Sequence, residues 1–411
     1  MLKRKLLICL SLLLFGVMFI PEMVSAADFL NFEKHGSAEF KDAIKIQKKA
    51  HKIHHKILTV DTHLDTPLIM DIYPSFFGEE FDLSQRYQNA KFPGFTFRQV
   101  DFPRMQEGGL DAGFFVAYVA QGDRDDAGNQ AAIQSVLGLI DLIYEKVDAH
   151  PELAAVVADP KDSYRLEKEG KRAIYIGIEN GYAIGNDLAM IETYYDLGAR
   201  YMTLSHSSNN DICDSSTDQQ GPEHGGLSPF GEAVVAEMNR LGMMVDVSHI
   251  SDDAVWDVLA ITAAPVIASH SNALALYDHP RNLNDDLLEA IAENGGVVQV
   301  NLLYVSEVDP NTGERTASVS DVVDHIDHIV AVAGIDHVGI GTDFDGGGVV
   351  DGCEDASKLE AITVELVKRG YTKNEIRKIW SENFMRVFRE VELVAGKYKG
   401  VDDQFVFNQP S

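Results

Sequence analysis

Cysteine is scarce in this sequence of 411 residues, which contains only Cys9, Cys213 and Cys353. Cys9 lies in the N-terminal segment, and two further cysteines in so long a chain do not make a disulfide framework. The stability of the protein therefore has to come from a buried core. Cys213 and Cys353 both fall in predicted loops, and the sequence leaves open whether they pair.

Basic residues are also few, since 35 lysines and arginines stand against 64 aspartates and glutamates, giving a formal net charge of −29. Without a basic stripe to contact phosphates, a nucleic-acid partner is excluded, and so is an anionic membrane surface. Most of this acidity is expected to form a solvated surface that aids solubility.

Only the N-terminal segment of the sequence contains a long apolar run, at residues 6–20, directly after Lys3, Arg4 and Lys5. No later segment has a run of that length. Small residues at 24–26 offer a cleavage site, so residues 1–26 are predicted to be a signal peptide. The alternative is an uncleaved anchor helix, for which the run is short. The protein is therefore predicted to be exported, to a periplasm or out of the cell, with no membrane span after cleavage.

A glycine-rich dinucleotide fingerprint is absent as well, because Gly346-Gly347-Gly348 lacks the required spacing and the helix that should follow it. What the sequence contains is an alternation of apolar runs with helical segments, which implies parallel strands with right-handed crossovers. The eight predicted strands are residues 57–65, 112–119, 173–179, 201–206, 243–249, 265–270, 297–303 and 337–344. Eight such units predict an α/β fold, a (β/α)8 TIM-type barrel, with a doubly wound open sheet as the alternative.

The predicted domain organisation places the barrel at residues 57–395, after an N-terminal helical segment at 27–56 and before a polar tail at 396–411. Extra helices flank the barrel at both ends. His51, His54 and His55 occur among lysines in the N-terminal segment, without an acid or a cysteine to accompany them. They are therefore predicted to lie on a solvated helix face.

Residues that bind metals stand at the predicted strand ends. His63 and Asp65 are two residues apart on the first strand, so both side chains point to one face as a ligand pair for a divalent metal such as zinc. Other strands end in the same residue types, namely Glu179, His206, His249, His270 and Asp343. In a barrel these ends converge, and so many ligands exceed what one tetrahedral zinc needs. Two metal ions that share a carboxylate and activate a water for hydrolysis are therefore predicted.

In these segments the sequence resembles the membrane dipeptidase (renal dipeptidase) family of zinc peptidases, from about Ile57 to Glu390. The resemblance is carried by residues 61–65, 177–180, 204–206, 226–231, 245–249, 268–271, 280–282 and 341–346. It implies two Zn²⁺ ions per chain. His63 and Asp65 would hold one ion, Glu179 would bridge both, and His249 and His270 would hold the other.

The resemblance also implies the catalytic roles. Asp343 would lie beside the first zinc and transfer protons, and Glu179 would act with it. His206 would not bind metal but would donate a hydrogen bond to the substrate carbonyl oxygen. Arg281 would bind the terminal carboxylate of the substrate through its planar guanidinium.

The function implied is that of an exported dizinc dipeptidase, in which a hydroxide held between the metals attacks the peptide bond. Its substrates would be L-L dipeptides and, because other family members cleave them, L-D dipeptides. The alternative is an amidohydrolase-type barrel acting on another amide, lactam or ester, although Asp65 and Glu179 replace that group's usual His-x-His and lysine. A non-enzymatic solute-binding barrel is a third hypothesis. The predicted partners are small dipeptides, and a homodimer is allowed. The loop at residues 209–225 departs most from the family pattern, so the side-chain preference stays open.

Overall fold

The computed structural model describes residues 38–92, 95–307 and 316–396. The predicted signal peptide at residues 1–26 lies outside these ranges, and so does the predicted tail except for its first residue.

Parallel strands form the centre of the molecule. In chain order the strands are β1 (Val60–Leu64), β2 (Ala90–Phe92), β3 (Phe95–Phe97), β4 (Ala112–Tyr118), β5 (Ala154–Val156), β6 (Arg172–Glu179), β7 (Ala199–Thr203), β8 (Met244–Asp246), β9 (Ile267–Ala268), β10 (Val297–Val300) and β11 (Val338–Ile340). Eight of them follow one another around a nearly closed parallel barrel, in the order β1, β4, β6, β7, β8, β9, β10 and β11. The predicted barrel fold is confirmed.

The barrel is joined between its last and first strands by backbone contacts just past their carboxyl ends. The backbone N–H of Asp343 donates to the carbonyl of His63 at 3.1 Å, and that of Asp65 donates to the carbonyl of Phe344 at 2.9 Å. β5 adds to the sheet beside β6, and β2 pairs with β3 as a separate antiparallel hairpin. The closure brings His63, Asp65 and Asp343 to one place.

Helices surround the barrel. They are α1 (Ala38–His54), α2 (Thr66–Phe77), α3 (Phe102–Gly108), α4 (Asp126–Asp148), α5 (Pro160–Glu169), α6 (Ala189–Asp196), α7 (Pro229–Leu241), α8 (Asp252–Ile261), α9 (Asp285–Glu293), α10 (Val319–Ala333), α11 (Glu360–Arg369), α12 (Lys373–Arg377) and α13 (Asn383–Val394). α7 begins at Pro229, because the Ser228 hydroxyl accepts the backbone N–H of Gly231 and Pro229 suits the first turn.

The core has two layers because successive side chains of each strand point to opposite faces. Phe115, Ile174 and Ile176 belong to the larger cluster of buried apolar residues, which includes many helix residues. Their neighbours Phe114 and Tyr175 belong to a second cluster, which continues into α13. The aromatic rings of that second cluster support the barrel floor beneath the converging polar side chains.

The observed strands are shorter at their carboxyl ends than the predicted ones. His206, His249, His270 and Asp343 lie two or three residues beyond the ends of their strands, in the loops that follow. These four side chains therefore reach the barrel mouth from loop positions. Glu179, in contrast, is the last residue of its strand.

The sequence prediction also misses elements between residues 66 and 111, where the structure has α2, the hairpin and α3. It misses β5 and α5 as well. These elements are short, and α2 contains Pro74, which interrupts a helical pattern. Their positions depend on packing against the barrel more than on local propensity.

The prediction of a solvated histidine face on α1 is wrong for His54. This residue is 1% exposed, and its ring nitrogens contact the Gly108 carbonyl at 2.7 Å and the Thr363 hydroxyl at 2.8 Å. The reason is that α11, from the far end of the chain, packs on α1 and covers this residue. His51 and His55 remain on the accessible side of the same contact and reach Glu360.

The two cysteines of the described region, Cys213 and Cys353, are both buried and both free. The sequence had left a disulfide between them open, and the structure has none. Within the described ranges, no helix combines the length and apolarity that crossing a bilayer requires.

Candidate metal centre

One carboxylate oxygen at the carboxyl end of β6 is surrounded by four imidazoles. Oε1 of Glu179 lies 3.0 Å from Nε2 of His249 and 3.5 Å from Nε2 of both His63 and His270. Nε2 of His206 lies 3.7 Å from the same oxygen. The strand-end histidines predicted from the sequence therefore meet at one point, although they come from four different strands and loops.

A second group of acids adjoins this cluster. Oδ2 of Asp65 lies 3.6 Å from Nε2 of His63, and the side chains of Asp65 and Asp343 contact one another. Gly346 makes their approach possible, because a Cβ atom at this position would collide with both carboxylates. The mouth of the barrel thus holds three acids and four histidines in contact.

These side chains fall into three sets whose ligand atoms lie within 4.8 Å of one another. The sets are His63, Asp65 and Asp343; His63, Glu179 and His270; and Glu179, His206 and His249. Every residue predicted to bind metal belongs to at least one set, and so does His206, to which the family resemblance assigns a substrate contact instead of a metal ion. Imidazole nitrogens and carboxylate oxygens are the ligands that zinc prefers. The donor set therefore fits one or two such ions.

His63 is held with one nitrogen aimed into the site. Its Nδ1 lies 3.0 Å from the Tyr201 hydroxyl, which donates its own proton to the Thr62 carbonyl at 3.0 Å. Nδ1 must therefore carry the hydrogen, and the lone pair of neutral His63 is on Nε2. That nitrogen is buried and has no hydrogen-bond partner among the described residues. A buried nitrogen with a free lone pair and no hydrogen-bond partner is suited to bind a metal ion.

His270 is oriented by a chain of hydrogen bonds below it. Its Nδ1 lies 2.8 Å from the hydroxyl of Ser269, which donates to a carboxylate oxygen of Asp246 at 2.6 Å. Asp246 also accepts the hydroxyl of Thr203 at 2.5 Å. This buried carboxylate fixes the imidazole so that Nε2 faces Glu179.

Backbone strain is concentrated around the site. His249 and Asp343 have φ angles of 71° and 63°, and Asn180, which directly follows Glu179, has a φ of 81°. Residues with a side chain rarely adopt this left-handed conformation, and it costs about 1–3 kcal/mol per residue where the surroundings impose it. Here it occurs at two residues of the cluster, His249 and Asp343, and at the residue that follows a third, Glu179.

The charges of the site favour a cation. Burial by itself would lower the pKa of His63, but the negative charges of Glu179 and Asp65 outweigh burial and raise it to about 10. For Glu179, burial is likewise opposed, by the imidazoles of His63 and His206, and its pKa lies well below the usual value. Positive charge placed among these groups is therefore stabilised.

Asp343 differs from Glu179 in its ionisation. Burial, together with repulsion from Glu179, raises the pKa of Asp343 to about 7. Asp65 is shifted in the same direction, well above its usual value, chiefly by burial. A carboxyl group that titrates near neutrality is suited to accept a proton and return it.

His206 lies at the rim. Its side chain is 22% exposed, whereas the other three histidine side chains of the site are 7% exposed or less. Its ring stands edge-on to Tyr118, with ring centres 4.8 Å apart, and its Nδ1 lies 3.0 Å from the Ser207 hydroxyl. His206 is thus the imidazole of the cluster that a molecule entering the barrel reaches first.

Arg281 enters the site from the loop after β9. It is 3% exposed, and it donates from Nη2 to the His270 carbonyl at 3.2 Å. Its Nε has no hydrogen-bond partner within the described part of the chain. The guanidinium lies near enough to lower the pKa of His249, adding to the larger effect of burial. Arg281 can therefore offer N–H groups to an anion at the barrel mouth.

The loop at residues 207–228 is shaped by Asp214, which the sequence prediction did not single out. Its carboxylate accepts the backbone N–H groups of four consecutive residues, 223 to 226, at 2.7–3.2 Å. Asp246 and Ser269 were also missed, although both stand inside segments that carry the family resemblance. Both could have been noticed in the sequence, because each is a polar residue within or next to a buried apolar strand. Tyr201 gave no signal, because an aromatic residue is ordinary in a strand.

The comparisons with known proteins agree with this site. Residues 47–401 match the family model of the membrane dipeptidases, peptidase family M19. Dipeptidase tcpJ of Claviceps purpurea is 36% identical over 329 residues, which cover 78% of this chain and 75% of the relative. The probable dipeptidase PvdM of Pseudomonas aeruginosa has a TM-score of 0.77 and 28% identity over 85% of this chain and 99% of that one.

A metallopeptidase of Rhodobacter sphaeroides, solved with a phosphinate mimic of the dipeptide L-Ala-D-Ala, has a TM-score of 0.70 and 27% identity. The match covers 82% of this chain and 99% of that chain. The resemblance seen in the sequence is confirmed, because the family model spans most of the chain and the relatives extend over nearly the same length. The chain belongs to the membrane dipeptidase family, peptidase family M19, and is a hydrolase of the dipeptidase type.

Proposed function

We propose that this protein is an exported, zinc-dependent dipeptidase that uses two metal ions to hydrolyse L-L and L-D dipeptides. The observation that carries the proposal is the convergence of four imidazoles on Oε1 of Glu179. Export rests on the signal peptide predicted over residues 1–26. Acceptance of an L-D substrate rests on the family relative that binds a mimic of L-Ala-D-Ala.

Two ions are favoured over one because the donor side chains exceed what one tetrahedral ion needs and form more than one set. His63, Asp65 and Asp343 form one set, and Glu179 belongs to two others, one with His63 and His270 and one with His206 and His249. When bound, two such ions make hydroxide available near neutral pH and polarise the carbonyl under attack. Glu179, which is ionised, is the group that would contact both.

The residues around the ligands supply the remaining steps. Asp343, whose pKa is about 7, would accept the proton of the attacking water and deliver a proton to the leaving amine. His206 at the rim would donate a hydrogen bond to the carbonyl oxygen as its negative charge develops. Arg281, whose Nε has no hydrogen-bond partner in the described ranges, would bind the free carboxylate of the dipeptide through its planar guanidinium.

The test is a substrate panel with zinc-loaded protein. L-L and L-D dipeptides should be hydrolysed, while the same dipeptides with an amidated C-terminus should be hydrolysed at least tenfold more slowly, because Arg281 then loses its ionic partner. N-acetylated dipeptides serve as the second control. Equal turnover of free and blocked substrates, or turnover restricted to lactams and esters, would instead favour the amidohydrolase alternative.

Metal dependence is measured separately. Dialysis against a chelator should abolish turnover, and Zn²⁺ should restore it with a stoichiometry of two ions at the barrel mouth. Restoration by one equivalent would contradict the two-ion proposal. Export is tested by sequencing the N-terminus of the protein purified from the producing cell, which should begin near residue 27.

A further inference from the structure

A second group of metal-binding side chains lies outside the barrel, where α1 meets α11. Nδ1 of His51 is 2.9 Å from Oε2 of Glu360, and Nε2 of His55 is 3.1 Å from the same oxygen. The two imidazole rings are 4.4 Å apart. His51 and His55 are separated by 305 residues or more from Glu360, so only the packing of the two helices creates the group.

The spacing of the histidines suits chelation. Residues four apart on a helix lie on one face, one above the other, and two histidines at this spacing form a familiar zinc-binding pair. Their nitrogens and the Glu360 oxygen lie within 4.8 Å of one another, like the sets at the barrel mouth. Two nitrogens and one oxygen are three of the four ligands of a tetrahedral zinc site, and water can supply the fourth.

Two of the three side chains are held by a neighbour outside the cluster. Gln47 donates to the other oxygen of Glu360, Oε1, at 3.0 Å, which leaves Oε2 to face both imidazoles. The ring of His55 lies against Gly109, where a Cβ atom would come within 2.9 Å of it. The side chain of Glu360 is only 18% exposed, that of His55 is 32% exposed, and that of His51 is 65% exposed. An ion could therefore enter from the His51 side.

A simple ion pair does not need this arrangement. His328 and Asp285 join α10 to α9 through one imidazole and one carboxylate, 2.7 Å apart. The cluster between α1 and α11 has a second imidazole directed at the same carboxylate oxygen. Two imidazoles that share one acceptor gain less from hydrogen bonding than they would gain by binding a common cation.

The geometry points to a binding site for one divalent transition-metal ion, such as Zn²⁺, formed by His51, His55 and Glu360. The ion would join α1 to α11 and would be separate from the ions at the barrel mouth. Because it would bind the folded protein and not the unfolded chain, its presence would raise the stability of the contact between the two helices. α1 directly precedes β1, which carries His63, so this contact fixes the start of the barrel.

The experiment uses the full chain with its barrel-mouth ions in place and measures the binding of added Zn²⁺ by calorimetry. The wild-type protein should bind one ion more than the double variant H51Q/H55Q. E360Q, a milder change, should weaken that binding at least tenfold. H328Q is the matched control, since it removes a surface imidazole from a site with a single histidine, and it should bind as the wild type does.

Two further measurements separate a metal site from a structural contact. Added Zn²⁺ should raise the unfolding temperature of the wild type and of H328Q, but not that of H51Q/H55Q. Cu²⁺ bound at the same site should show coupling to two imidazole nitrogens in its electron paramagnetic resonance spectrum, and this signal should be absent from H51Q/H55Q. The proposal is overturned if H51Q/H55Q binds the additional ion as tightly as the wild type, or if the wild type binds none up to about 1 mM.

Discussion

Two clusters in this molecule are built from the same residue types, yet their surroundings differ completely. At the barrel mouth, four histidines surround Oε1 of Glu179, and at the surface His51 and His55 share Oε2 of Glu360. The side chain of Glu179 is 4% exposed and that of Glu360 is 18% exposed. In both clusters, one carboxylate oxygen lies close to imidazoles that are distant from it in the sequence.

The two clusters differ in how the surrounding residues hold their imidazoles. At the mouth, Tyr201 and Ser269 fix the outer nitrogens of two imidazoles, and strained backbone at His249 and Asp343 directs their side chains inward. At the surface, both histidines lie at the end of a regular helix, and neither shows such strain. Catalysis needs ligands held in a low-dielectric site, whereas joining two helices needs only the correct spacing.

The largest expected effect is a difference in kcat/KM between the variants of Glu179 and Glu360. Glu179→Gln removes the charge that would contact both ions, so kcat/KM for dipeptides should fall at least about 10³-fold, or about 4 kcal/mol of transition-state stabilisation. Glu360→Gln is the matched change in the surface cluster, and it should leave kcat/KM within about twofold. Steady-state kinetics on zinc-loaded proteins provides the measurement. Turnover retained by Glu179→Gln would remove Glu179 from the catalytic machinery.

The next effect concerns His54, which lies between the two histidines of the surface cluster. Burial lowers its pKa from 6.5 to about 4, despite the opposing influence of its hydrogen bond to Gly108 and of the Glu360 charge. Between pH 6.5 and about 4, the unfolded chain therefore binds a proton at His54 more readily than the folded protein does. The free energy of unfolding falls as the pH drops through this window. The loss amounts to about 3 kcal/mol.

This pH dependence is measured by denaturant unfolding at several pH values from 7 to 4. The variant His54→Gln should lose this part of the pH dependence, because the variant has no imidazole to protonate. The neighbouring His51, His55 and Glu360 are unchanged in that variant, so the comparison reports His54 together with its electrostatic coupling to these three groups. An identical pH profile for the two proteins would show that His54 is not the group responsible.

A third prediction tests how tightly the mouth is packed. Gly346→Ala places a methyl group against the carboxylates of Asp65 and Asp343, and separating them should lower activity about 10–100-fold. Gly138 in α4 is the control, because a Cβ atom there would meet nothing within 4 Å. Gly138→Ala should retain full activity. Dipeptidase assays on both variants, with circular dichroism to verify folding, distinguish a local clash from a general sensitivity to the added methyl.

The smallest effect concerns orientation at the mouth. Tyr201→Phe removes the hydroxyl that fixes the Nδ1 hydrogen of His63, so zinc affinity should fall about tenfold. Tyr194 is also buried, but its hydroxyl donates to the Ala183 carbonyl in a different part of the structure, and Tyr194→Phe should bind zinc normally. Competition with a chromophoric chelator measures both. If Tyr194→Phe also lost tenfold in zinc affinity, the effect would come from lower overall stability and not from the orientation of His63.

The barrel and the residues that converge at its mouth were accessible from the sequence because the signal repeats. A single His-x-Asp pair predicts little, but strands that end in histidine or acid again and again converge in any parallel barrel. The supporting groups were not accessible in the same way. Tyr201, Asp246 and Ser269 act through contacts with residues of neighbouring strands, which the local pattern does not report.

The sequence by itself determined the eight-stranded order of the barrel and the residue types at its mouth, because apolar periodicity and strand-end chemistry are local properties of the chain. Only the tertiary structure decided that His54 is buried and that His51 and His55 face an acid. Glu360 stands 305 or more residues away from them, and no local pattern records which helix a surface side chain will meet. The packing of α11 on α1 creates that contact, together with the burial that governs the pKa of His54.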